Sequence, residues 1–155
     1  SGADSGGLYV VTASQGDGES QRRSAMVASW VSQASFSPPG LTVAVAKDRA
    51  IEALMQVGDR FVLNVLREDN HQPLLRHFLK RFPPGADRFA GVSVLEGVAD
   101  GGPVLTDALA YLGCRVEQRM EGPDHWIIYA LVEQGNVADA EASTAVHHRK
   151  VGNHY

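Results

Sequence analysis

The chain has 155 residues, of which 44% are hydrophobic and 21% charged, and its 14 Lys+Arg against 18 Asp+Glu give a formal net charge of −4. This length bounds one domain with a full hydrophobic core, and the composition excludes a disordered chain. The negative balance leaves no domain-wide field for a polynucleotide or an anionic membrane, and a single cysteine, Cys114, excludes an internal disulfide and a cysteine-rich metal centre.

No apolar run has the length of a membrane span, and no basic–apolar–small signal segment opens the sequence. Residues 1–6 (SGADSG) read as a linker or cloning remnant, and 7–155 as one domain. Cys114 lies in an apolar strand context, which points to a buried, inert thiol and to a reducing, cytoplasmic setting.

In chain order, 7–14 (GLYVVTAS) is β-rich and is followed by a turn at 15–19. Residues 24–36 form a long segment of small, β-branched and serine residues, read as a strand pair. It ends at Pro38-Pro39-Gly40, where the double proline is expected to stop a ladder. Residues 41–47 (LTVAVAK) alternate as a buried strand. Asp48 is expected to cap a short helix bearing Ile51, Leu54 and Met55, with Gly58 as its stop. A strand over 60–66 precedes a helix over 73–82, whose apolar stripe is Leu74, Leu75, Phe78, Leu79 and Phe82. Residues 91–103 are short and glycine-broken. Two long strands, 110–120 and 126–137, are joined by a turn at 121–124, and a short strand is expected over 144–149. Many strands with few short helices imply a mostly antiparallel barrel rather than a βαβ fold.

The stretch most informative about chemistry is 26–39 (MVASWVSQASFSPP). Its small residues let a flat group approach the backbone, and its serines could donate to a ligand's oxygens. Serines on a solvated strand face would look the same. His147, His148 and His154 do not make a metal site, because adjacent strand residues point to opposite faces and no Cys, Asp or Glu stands at ligand spacing. No glycine-rich phosphate loop follows a strand, and no serine sits in a G-x-S-x-G elbow. The cations Arg76, His77, Lys80 and Arg81 lie outside the apolar stripe of the 73–82 helix, either as a solvated face or as a docking site for an acidic redox partner or neighbouring domain.

Taken together, the segments 7–12, 26–39, 59–66, 87–92, 102–105 and 108–116, with Asp124-His125 and His148-Arg149, resemble the flavin-reductase family in order and spacing over nearly the whole chain. The resemblance is nearest to the C-terminal flavin reductase module of flavodiiron proteins of oxygenic phototrophs. No His-x-Glu-x-Asp-His iron-ligand motif occurs, so an oxygen-reducing diiron centre would lie elsewhere. The resemblance implies an antiparallel Greek-key split β-barrel of the FMN-binding type with short peripheral helices. It implies an NAD(P)H:flavin oxidoreductase that binds FMN, pairs as a homodimer and feeds electrons to a fused flavodiiron core.

Residue by residue, it places Ala28, Ser29 and Trp30 along the flavin, with Ser32 and Ser35 as polar contacts and Phe89 in a loop over the ring. Lys47, Arg49 and Ala50 match the family's phosphate-binding turn, where a helix start offers N–H groups to an anion. His125, the one candidate catalytic residue, lies by the nicotinamide, with His148, Arg149 and Tyr155 closing that side. Asp48 departs from the hydroxyl residue of many relatives and sets a repulsive carboxylate beside the phosphate. That departure favours an alternative, a barrel that holds flavin weakly and serves association or electron relay. An FMN-dependent oxidase on a related split barrel fits the ordered segments less well.

Overall fold

The computed structural model describes residues 7–137. Seven strands form one antiparallel sheet: β1 (Tyr9–Gln15), β2 (Arg22–Ala28), β3 (Val31–Phe36), β4 (Pro39–Ala46), β5 (Arg60–Val65), β8 (Ala110–Glu121) and β9 (His125–Val137). The two-residue strands β6 (Val94–Leu95) and β7 (Val104–Leu105) pair separately, and the spatial order of the main sheet is β2-β1-β5-β8-β9-β4-β3. The helical elements are 3₁₀ turns at Gly18–Ser20 and Ala50–Leu54 and one α-helix, α1 (Gln72–Phe78). No helix among the described residues is long and apolar enough to cross a membrane. The fold is thus mainly β and antiparallel, as the strand pattern predicted. The expected strand over 144–149 lies outside the described residues.

The sheet curls because β1, β2, β4, β5, β8 and β9 all turn one face into a single cluster. Val11, Met26, Val43, Val45, Phe61, Leu63, Val116 and Ile128 meet there. Each fully buried aliphatic or aromatic side chain contributes on the order of 1.5–3 kcal/mol. A second cluster covers the outer face of β1 and β2, where Val10 and Ala25 pack with Leu74 and Phe78 of α1 and with Phe89. β1 and β5 are therefore buried on both sides and read as near-continuous apolar runs. Two glycines are required by close approach. A Cβ on Gly40 would lie 2.5 Å from Ser35 Oγ, and one on Gly101 (φ +103°) would lie 2.6 Å from the Arg60 carbonyl carbon.

Several elements differ from their predicted form. Pro39 opens β4 instead of ending a ladder, since a proline at the first strand position loses no needed N–H bond. The 24–36 segment is the strand pair expected, although its first strand begins at Arg22 and the pair is broken at Ser29-Trp30. Asp48 caps no helix, because the turn after it is 3₁₀, with Arg49 at its N-cap and no side-chain cap bond. α1 stops at Phe78, short of residue 82, because the stripe finds no core beyond that point and Leu79 is 62% exposed. Ile128 is fully buried, and Trp126 lies under the Arg119 guanidinium at 4.1 Å and the Lys47 ammonium at 5.8 Å.

Polar groups inside the fold are concentrated at Asn64. Its amide donates to the Val10 carbonyl (3.0 Å) and Thr12 Oγ1 (3.2 Å), and its oxygen accepts the Leu105 N–H (2.9 Å). Thr12 in turn donates to the Pro103 carbonyl at 2.7 Å. These bonds tie β7 to the paired strands β1 and β5, which its own backbone pairing does not reach. Burial pushes the Cys114 thiol well above its ordinary value of 9.0, with the Glu133 carboxylate adding to the rise. An Asn64→Leu variant keeps the volume but leaves the buried Leu105 N–H without its acceptor and removes the amide bonds to the Val10 carbonyl and to Thr12, whose hydroxyl keeps its bond to Pro103. It is expected to lose about 3 kcal/mol in urea unfolding, at an unchanged m-value.

Candidate functional site: a cleft at the β2–β3 break

β2 ends at Ala28, and Ser29-Trp30 leave the ladder before β3 begins. The break is held against β4, since the Ala44 N–H donates to the Trp30 carbonyl at 3.1 Å. Beside it lies an open cleft of about 490 Å³, counting its mouth, lined by Met26, Val27, Ala28, Ser29, Trp30, Ala44, Ala46, Arg49 and His125. Ala44 and Ala46 alternate with the core-facing Val43 and Val45, so one face of β4 presents only methyl groups to the cleft. His125 is paired with Ala46 across the β4–β9 ladder, which puts the imidazole beside that small-residue face. The Lys47 N–H donates to the Asp124 carbonyl at 3.0 Å and fixes the turn before β9.

The cleft has a graded electrostatic lining. Trp30, 66% exposed, stands 5.1 Å from the His125 ring, tilted by 43°. His125 Nδ1 lies 2.8 Å from Asp124 Oδ1. An ionised carboxylate only accepts, so the Nδ1 proton belongs to that bond and Nε2 is left for a ligand. Arg49 is exposed, and among the described residues its guanidinium meets no carboxylate. Lys47 differs, because its ammonium is engaged by Glu121 at 2.5 Å. The expected phosphate turn is thereby divided into one committed and one available cation. The 3₁₀ turn after Arg49 spans only Ala50–Leu54, which makes Arg49 itself, rather than a helix dipole, the main positive element.

Of the residues expected at the site, Ala28, Ser29, Trp30, Arg49 and His125 come together from three separate segments, and Lys47 and Ala50 flank them in sequence without lining the cleft. Ser32 and Ser35 do not reach it. Ser32 is exposed opposite Thr42, and Ser35 lies five residues beyond Trp30, roughly 17 Å along a strand. Ser35 Oγ donates to the Pro38 carbonyl at 2.8 Å and meets the Tyr129 hydroxyl at 2.9 Å. Phe89 is also elsewhere. Its ring is 4% exposed in the second cluster, 5.8 Å from Phe78 and under the Arg23 guanidinium at 4.9 Å, because an apolar ring gains more there than over an open cleft. His148, Arg149 and Tyr155 lie outside the described residues. The alanine face of β4 was not singled out in the sequence, although the V-A-V-A alternation of 43–46 carries it.

A second cavity, about 620 Å³ counting its mouth, lies among Tyr9, Val31, Leu41, Leu63, Val65 and Leu112. Its lining is apolar and has no converging charge. Among the described residues no three metal-ligating side chains gather.

A curled, mainly antiparallel sheet with a cleft at a strand break is the fold of the split-barrel class. The chain matches the family model for the flavin reductase like domain over residues 3–153 and belongs to that family, which makes it an oxidoreductase domain. It is 67% identical over 154 residues to diflavin flavoprotein A 1 of Synechocystis sp., covering 99% of this chain and 26% of that protein. The chain therefore spans about a quarter of the length of this relative. Among solved structures it is similar to the NADH:FAD oxidoreductase SgcE6 of Streptomyces globisporus, at 31% identity and a TM-score of 0.72, covering 85% of this chain and 75% of that one. It is also similar to BorF, the flavin reductase component of a bacterial two-component tryptophan halogenase, at 28% identity and a TM-score of 0.71, covering 86% and 81%.

The imidazole of His125 holds the Asp124 carboxyl below its ordinary value of 3.8, chiefly through their hydrogen bond and then through charge, with Lys47 adding a little. Because that value is depressed on folding, the contact contributes above about pH 3.8 and is lost as pH falls through the lower, folded value. A carbon-13 titration of the Asp124 carboxyl is expected to show a midpoint below 3.8, which His125→Ala returns towards 3.8.

Proposed function

We propose that this cleft binds FMN and that the domain, residues 7–155, transfers hydride from NAD(P)H to it. The observation that carries the reading is the convergence of the Ala28-Ser29-Trp30 break, Arg49 and His125 in one cleft. The residues fit the group. The methyls of Ala44 and Ala46 leave a flat wall beside the end of β2 at Ala28, and Arg49 offers an uncommitted guanidinium to a phosphate. When bound, the flavin supplies the hydride acceptor. Trp30 would cover the ring and exclude water, while Arg49 would hold the phosphate tail. His125, held through Nδ1 by Asp124, would present Nε2 to the incoming nicotinamide and need not move a proton.

A solved structure of SgcE6, 28% identical to this chain with a TM-score of 0.69, is of that enzyme with NAD and FAD fragments, which supports a two-ligand cleft. Because relatives such as the diflavin flavoprotein are about four times as long, we read this chain as their electron-input module, passing electrons to an acceptor in the remainder, a flavodiiron core. The buried Cys114 thiol suits a reducing, cytoplasmic setting. Asp48, exposed beside Arg49, is the observation favouring the weakly binding alternative.

Fluorescence titration with FMN, followed by NAD(P)H oxidation at saturating flavin, tests the reading. A charge-assisted contact is worth roughly 1.5–3 kcal/mol, so Arg49→Ala is expected to weaken FMN binding about ten- to a hundredfold. Lys47→Ala is expected to weaken it less than about threefold, since Glu121 already engages that ammonium. Asp48→Ser should tighten binding, and His125→Ala should raise the KM for NAD(P)H with FMN affinity nearly intact. Absence of both quenching and oxidation in the wild type would replace this reading with the vestigial module.

We also propose that two copies pair so that each cleft borders its neighbour. Trp30, 66% exposed beside the cleft, is a large side chain whose burial a second copy would complete. Light scattering over a concentration series is expected to show a dimer. A monomer at every concentration would count against pairing.

A further inference from the structure

We infer that the exposed basic face of α1 and the turn after it is a docking surface for an acidic electron-carrying protein, seated beside the flavin cleft. Residues 71–86 (HQPLLRHFLKRFPPGA) contain no carboxylate, in a chain whose net charge is −4. Arg76, Lys80 and Arg81 are all exposed there. The cations elsewhere on the barrel are largely committed. Arg23, Lys47, Arg60, Arg115 and Arg119 each face a carboxylate. Among the described residues Arg76, Lys80 and Arg81 face none, so their field is directed outward and meets little internal compensation.

Two further features distinguish this face from a merely solvated one. Leu79 stands 62% exposed among the three cations, and an apolar centre ringed by charge is the make-up of a protein interface rather than of a polyanion groove. The platform is also fixed before any partner arrives. Leu74 and Phe78 are buried in the second cluster, His77 Nε2 lies 2.7 Å from the Arg88 carbonyl, and the Arg88 guanidinium sits 5.0 Å from the Phe82 ring centroid. Less ordering entropy is therefore lost on docking.

The location gives the surface its role. Val27 packs against the cluster holding Leu74 and Phe78, and the same residue lines the cleft. A protein seated on α1 is thus connected to the cleft wall through the helix and Val27, which packs against the helix's buried face. The electron-carrying part rests on the function proposed above, in which the cleft holds a flavin reduced by NAD(P)H. For a one-electron haem acceptor the balance is NAD(P)H + 2 Fe³⁺ → NAD(P)⁺ + 2 Fe²⁺ + H⁺, with the nicotinamide oxidised and two haems reduced.

The soluble haem domain of cytochrome b5, which presents an acidic haem face, serves as the probe, and basic cytochrome c as its control. Binding to the flavin-free chain is measured by calorimetry at about 20 and about 300 mM salt, between which the screening length falls from roughly 20 Å to roughly 6 Å. The cytochrome b5 domain is expected to bind at low salt, at least about tenfold more weakly at high salt, and more tightly than cytochrome c. Arg76→Glu/Lys80→Glu/Arg81→Glu together should abolish that binding and reverse the preference. Lys80→Glu or Leu79→Ser alone, with an unchanged thermal melt, should weaken it several-fold. In FMN-loaded protein the triple variant should lose about tenfold in NAD(P)H-driven cytochrome b5 reduction while ferricyanide reduction is unchanged.

No binding at low salt, or binding indifferent to the charge reversals, overturns the proposal. Tighter binding to phosphatidylglycerol vesicles than to cytochrome b5 overturns its assignment to a protein. Binding that behaves as expected without any ferricyanide reduction leaves the docking surface standing and removes the flavin reading instead.

Discussion

The register of β9 against β4 is the constraint from which the cleft follows. With His125 opposite Ala46 and Ile127 opposite Ala44, the intervening pairs Trp126–Val45 and Ile128–Val43 turn inward. A slip of one residue would exchange the two sets, putting the imidazole into the core and an indole against the small-residue face. The core enforces the observed choice, since Val43, Val45 and Ile128 are fully buried. The bonds from Ala44 N to the Trp30 carbonyl and from Lys47 N to the Asp124 carbonyl then bring the β2–β3 break and the 121–124 turn to the same place.

Charge on this barrel is sorted by what lies beneath it. Along the outer face of β5, β8 and β9, Arg60 and Arg115 share Glu133, and Arg115 also meets Glu117. The Glu133 carboxyl is held below its ordinary range chiefly by the hydrogen bond from Arg60, which outweighs the opposing effect of burial, with the bond from Arg115 adding to it. Exposed pairs of this kind add little stability each. Their consequence is to neutralise the ladder face, so that among the described residues the cations facing no carboxylate include Arg49, Arg76, Lys80 and Arg81. Arg119 is the exception in burial. It bonds to Glu52 and to the Met55 carbonyl (3.1 Å) and covers Trp126, fastening the 3₁₀ turn beside the cleft to β8.

Comparison with known proteins places the chain in the flavin reductase like family along nearly its full length, while it spans only a quarter of the diflavin relative. The cleft proposed for the ligands and the surface proposed for a protein partner are separately built. The first is made of small residues at a strand break, and the second of cations on and just after a helix whose inner face belongs to a different cluster.

The sequence by itself determined the strands and their antiparallel class, because alternation and turn chemistry are local and the strand pattern left little room for helices. It also carried the ordered segments that resemble the family, and with them Ala28-Ser29-Trp30, Arg49 and His125. It could not show that Lys47 is taken by Glu121, which lies 74 residues away and reaches it only through the β4–β9–β8 ladder. Nor could it show that Ser35 and Phe89 are used elsewhere, because a serine or phenylalanine looks the same in sequence whether it faces a ligand or a neighbour. Ala44 and Ala46 read as core strand positions until the register assigned them to the outside. The length of α1 was likewise undecided, since an apolar stripe continues to Phe82 while the core that could bury it ends at Phe78. Side-chain types and local periodicity are properties of the chain. Which of them share a cleft depends on pairings between distant strands, and only the tertiary structure sets those.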